Sequence, residues 1–97
     1  MRARRLVKGA TKPKAKRIFQ VVGLFWTDAV FSDENDRPRP AEMLTVGFLV
    51  SENDEQISVA HELDTDDGTF RGVTAVPRGM VQKVVKLGRP VSITYDA

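Results

Sequence analysis

The sequence predicts a mainly β protein, five short strands closed into a small barrel with one short helix before the last strand, behind a disordered basic N-terminal tail. Three observations predict this. Runs of β-branched and aromatic residues alternate with clusters of Gly, Pro, Asp and Asn, the punctuation of short strands. Eight of the fifteen Lys and Arg residues fall in the first seventeen positions, where there is no acidic residue. The chain has 97 residues and no cysteine, so one hydrophobic core must form without disulfides or a thiolate metal site. The domain expected over 18–97 can bury about 60% of its unfolded surface, which gives modest stability.

The tail comprises 1–17, with Arg2, Arg4, Arg5, Lys8, Lys12, Lys14, Lys16 and Arg17 among small residues and only Leu6 and Val7 as bulky apolar side chains. Like charges at this density repel and bury too little surface to order. The seven remaining cations face all thirteen acids in 18–97, so a +8 tail precedes a −6 body and the net +2 conceals both.

At Ile18 the character changes to Ile-Phe-Gln-Val-Val-Gly-Leu-Phe-Trp, an almost continuous apolar run that predicts a first strand over 18–27, buried on both faces. Residues 28–42 read as a long loop, because Pro38 and Pro40 rule out a regular helix or central strand. Residues 43–51 and 56–63 alternate with period two around Glu-Asn-Asp-Glu and predict a hairpin. Gly68 closes a second turn and a fourth strand spans 69–76, ending at Pro77. Met80, Val81, Val84, Val85 and Leu87 stand near helical spacing, with Gln82, Lys83 and Lys86 outward, and predict two or three turns of helix over 78–87 before Gly88. Residues 91–95 alternate as a fifth strand. An open sheet covered by the helix is the alternative.

A meander with a long first loop and a short helical link to the last strand resembles small SH3-like barrels and their Sm-like relatives, many of which assemble into rings. The pieces Trp26-Thr-Asp-Ala29, Thr45-Val-Gly-Phe-Leu49, Val59-Ala-His-Glu62 and Val76-Pro-Arg-Gly-Met-Val81 resemble a group of small phage-encoded proteins sharing W-x-D-A, T-x-G-x-L and I/V-P-x-G-M-I/V. The likeness covers most of 20–87, implies a phage origin and a small β domain, and implies no chemistry.

The tail suits an arm that neutralises nucleic-acid phosphates, DNA or RNA, with counterion release supplying the affinity. A solvated extension, or an arm docking on an acidic protein, are the plainer readings. No aromatic residue interleaves the tail's charges, so base stacking there has no support. Trp26 is a candidate partner platform, though a lone Trp beside Phe25 more often belongs to a core. Asp33, Glu34 and Asp36 occupy the long loop, where carboxylates can read basic peptides in SH3-like folds, or serve solubility alone. His61 is the only histidine, with no nucleophile or orienting carboxylate at a recognised spacing. Asp64, Asp66 and Asp67 resemble a calcium loop superficially, but Gly68 falls one place early and Ala75 stands where the bidentate Glu belongs.

These residues predict a non-enzymatic binding module with no cofactor and no metal. The expected partner is nucleic acid, through the basic arm. A host protein bound by the acidic body, or a virion structural role with homo-oligomers, is the alternative. No apolar run approaches the roughly 18 residues of a membrane span, so the expected setting is cytoplasmic, a host's cytoplasm for a phage protein.

Overall fold

A computed structural model describes residues 13–29 and 39–96, and among them the chain forms seven strands and no α-helix. In chain order these are β1 (Lys14–Phe19), β2 (Val21–Asp28), β3 (Ala41–Glu52), β4 (Gln56–Leu63), β5 (Phe70–Pro77), β6 (Val81–Lys86) and β7 (Val91–Asp96). Five of them make an antiparallel sheet in the order β5-β4-β3-β2-β6, and β1 pairs with β7 in a two-stranded antiparallel ribbon.

The core lies on one face of the larger sheet. Val22 and Leu24 of β2, Ile57 and Val59 of β4 and Val76 of β5 are almost fully buried, with Trp26, Leu49, Met80, Val81 and Val84 packed around them. Each of the five buried side chains contributes about 1.5–3 kcal/mol over leaving it exposed. Gly47 is needed for this packing, since a Cβ there would stand 2.2 Å from the Ala60 carbonyl oxygen and 2.8 Å from Val59 Cγ1.

Three expectations are corrected. The sheet is not closed into a barrel: its end strands, β5 and β6, are joined by a single 3-10 turn, Arg78–Met80, and do not pair with each other. Met80 of that turn packs against the core, so side-chain burial takes the place of backbone pairing at this point. The helix expected over 78–87 is that 3-10 turn followed by β6. The spacing misleads because Phe25 pairs with Lys83 while Trp26 pairs with Val81, which leaves Gln82 as an extra residue on β6. That bulge places Val81 and Val84, three apart, on the core face, a separation a helix would also use. Extended structure prevails because Val81, Val84 and Val85 are β-branched and because β2 would otherwise leave one edge unpaired.

The third correction concerns the tail. Residues 1–12 lie outside the described residues, but Lys14, Lys16 and Arg17 belong to a paired strand. The first strand expected over 18–27 is in fact the end of β1 and most of β2, separated at Gln20. Two residues separate Phe19 from Val22 on one side of the ladder, against four between their partners Val91 and Lys86 on the other. Gly88, at φ 75°, turns the longer side, and the Gln20 side-chain amide donates to the Gly88 carbonyl (3.3 Å) and to that of Val21 (2.9 Å). The ribbon is thus the β2–β6 ladder continued past a two-residue bulge.

Directly paired residues share a face, so Ala15, Arg17, Phe19, Ile93 and Tyr95 lie on one side of the ribbon and Lys14, Lys16, Ile18, Ser92 and Thr94 on the other. The first side packs on the sheet. Phe19 meets Phe48 of β3 edge-on at 6.2 Å and Phe70 of β5 at 5.4 Å, and Ala60 of the intervening β4 is fully buried. Tyr95 lies against Gly68 of the β4–β5 turn, where φ is +73° and a Cβ would come within 2.5 Å of the ring. The Asp96 amide donates to the Asp66 carbonyl at 3.2 Å.

Candidate nucleic-acid interface

The exposed side of the ribbon is the one described place where residues of the basic tail come together. Lys14 and Lys16 alternate on β1 opposite Asp96 and Thr94. Lys14 Nζ, on a largely exposed side chain, is 2.6 Å from Oδ1 of the mostly covered Asp96 carboxylate. Arg17, on the packed side, places its guanidinium 5.1 Å from the Phe19 ring centre and 5.9 Å from that of Phe70. Its charge is therefore partly used to hold the ribbon down. Lys16 is exposed and makes no ion pair among the described residues.

The same ladder carries further cations. Lys83 and Lys86 stand on the edge strand β6, and Arg89 in the bulge between β6 and β7, all exposed. Lys83 Nζ lies 4.8 Å above the Phe25 ring. Lys86, paired with Val22, and Arg89 therefore continue the ribbon's basic run along the ladder, while Lys83, paired with Phe25, stands on the other face of the sheet. Helical spacing over 78–87 sets Lys83 and Lys86 on one outer face, whereas the strand separates them and puts Lys86 in line with the ribbon. Only the pairing of β1 with β7, 72 to 82 residues apart, brings β1 to that ladder.

The acids gather elsewhere. Glu52, Asp54 and Glu55 surround the β3–β4 turn, where the Asn53 side-chain oxygen accepts from the amides of Glu55 (2.8 Å) and Gln56 (2.9 Å). In the β4–β5 turn Asp64 accepts from the Asp66 amide (2.9 Å) and from the Arg71 guanidinium (2.9 Å). Asp67 Oδ1 accepts from the Thr69 hydroxyl (2.7 Å) and amide (3.0 Å). These two bonds, led by the hydroxyl, hold the Asp67 carboxyl below its ordinary range. Carboxylates once compared with a calcium loop thus serve to fold their own turn.

Trp26 is half-buried against the core, and its indole N–H donates to the Thr45 hydroxyl at 3.0 Å. It stands with the core residues of β2 rather than with the tail cations. His61 is exposed on β4, beside Gly72. Asp33, Glu34 and Asp36, like Arg2, Arg4, Arg5, Lys8 and Lys12, lie outside the described residues. No helix among the described residues is long and apolar enough to cross a membrane. No protein-family model, curated protein or solved structure matches the chain.

Proposed function

We propose that this chain is a non-enzymatic binding module that holds nucleic acid by its phosphates, with Arg2, Arg4, Arg5, Lys8 and Lys12 of the N-terminal segment extending the basic run of the ladder. The observation that carries this reading is that Lys16, Lys86 and Arg89 are exposed and, among the described residues, without ion pairs on the ladder that follows that segment in the chain. Phosphate contacts of this kind bind by releasing counterions and read no sequence. The strand order β6-β2-β3-β4-β5, with a 3-10 turn before β6, supports an open variant of the SH3-like plan as the scaffold. The resemblance of the Trp26, Thr45 and Val76 pieces to phage proteins supports a phage origin.

The test is fluorescence anisotropy with labelled single-stranded and duplex DNA and RNA, at several salt concentrations. The full chain should bind with an affinity that falls steeply with salt. Replacing Arg2, Arg4, Arg5, Lys8 and Lys12 by Gln should flatten the salt slope on duplex DNA by up to about 4.5 log units per log unit of salt. Lys86→Glu with Arg89→Glu should weaken binding further. Absence of binding by the full chain, or a salt slope indifferent to these changes, would refute the reading. The exposed acids around the β3–β4 turn favour a second reading, a module that binds a basic host protein, which a nuclease-resistant pull-down would support.

A further inference from the structure

Nine large apolar residues are at least 36% exposed among the described residues, against seven buried apolar ones. Four of the nine form one patch. On the sheet face opposite the core, Leu44 and Val46 of β3 pair with Phe25 and Gly23 of β2, Gly23 pairs in turn with Val85 of β6, and Leu87 follows two residues on. Leu44, Val46, Val85 and Leu87 are 54%, 47%, 38% and 41% exposed. Leu44 Cδ1 and Leu87 Cδ1 lie 3.4 and 3.6 Å from where a Cβ on Gly23 would stand, so side chains from both flanking strands close over the central one. The result is an apolar surface three strands wide, which suits another sheet face at about 10 Å spacing.

We propose that this face is covered by the same face of a second copy of the chain. Charge supports that occupant. Glu42 is exposed on β3, two residues from Leu44 and on the same face, while Lys83 stands across β2, paired with Phe25. A two-fold axis running along β2 lays β6 of each copy over β3 of the other, so Lys83 of each meets Glu42 of its partner, twice by symmetry. An axis across the strands would instead set β6 on β6 and β3 on β3, so that Lys83 of one copy no longer faces Glu42 of the other. A partner of the same kind is also present wherever the chain is made, as a small domain exposing this much apolar surface requires. An interface centred on four apolar side chains from each copy should dissociate on the order of micromolar concentrations.

Sedimentation velocity of the full chain, over a concentration range of about a hundredfold, tests it in the absence of nucleic acid. A monomer–dimer equilibrium is expected. Val46→Glu, at an exposed position, should raise the dissociation constant at least about tenfold with an unchanged circular dichroism spectrum. Lys83→Glu and Glu42→Lys should each weaken the dimer, and the two together should restore it. A monomer at every concentration, a species larger than a dimer, indifference to Val46→Glu, or failure of the double charge swap to restore association would each overturn the proposal.

Discussion

The five-stranded sheet and the two-stranded ribbon share the same backbone pairing but differ in what holds them. In the sheet β2, β3 and β4 are each paired on both sides, and five almost fully buried side chains form the core. In the ribbon each strand has one partner, and only Phe19 is buried. A two-stranded antiparallel pair is at best marginal in water. The ribbon's order is therefore borrowed from the sheet, through Phe48, Phe70 and the turn at Gly68. The element bearing the candidate phosphate contacts is the less stable one, as local stability commonly falls toward binding elements.

The largest perturbation should abolish the comparison altogether. Leu24→Ala empties the centre of the core and should cost about 2–5 kcal/mol, lowering the melting temperature and unfolding sheet and ribbon together in one transition. Calorimetry or urea denaturation measures it, and a ribbon that outlived the sheet would contradict the dependence argued above. Phe19→Ala should instead separate the two. It removes both ring contacts, so amide hydrogen exchange should quicken over 14–19 and 91–96 while β2, β3 and β4 keep their protection. Equal loss of protection in all of them would make ribbon and sheet one cooperative unit. Gly68→Ala should act in the same direction with a smaller effect. A left-handed alanine costs about 1–2 kcal/mol, and its Cβ would displace Tyr95.

The same contrast explains what could be read in advance. The hairpin of β3 and β4, the strand β5 and the strand β7 follow from local signals: period-two alternation, the Asn53 turn, Gly68 and Pro77. Trp26 is legible as a core residue for the same local reason, an aromatic inside an apolar run. β1 is not legible, because Lys14-Ala-Lys-Arg17 has the composition of a solvated tail and becomes a strand only through β7, at the far end of the chain. β6 is hidden by the Gln82 bulge, which converts a strand's alternation into a helix-like spacing. Both misses concern partners distant in sequence, and together they concealed that Lys16, Lys86 and Arg89 belong to one ladder.

The smallest effect should come from acid, and it should reach the ribbon before the sheet. Asp67 accepts from the Thr69 hydroxyl and amide in its ionised form, which sets its folded-state carboxyl below the ordinary carboxylate range. A lowered folded value means the unfolded chain takes up a proton first, so this contribution is complete at neutral pH and is lost as pH falls below the ordinary range through the folded value. The turn it fixes includes Gly68, on which Tyr95 rests. Hydrogen exchange in an acid series should therefore show 91–96 losing protection ahead of β2 and β4, and Asp67→Asn should shrink that difference. An NMR titration that placed the Asp67 carboxyl at or above its ordinary value would remove the basis for this order of events.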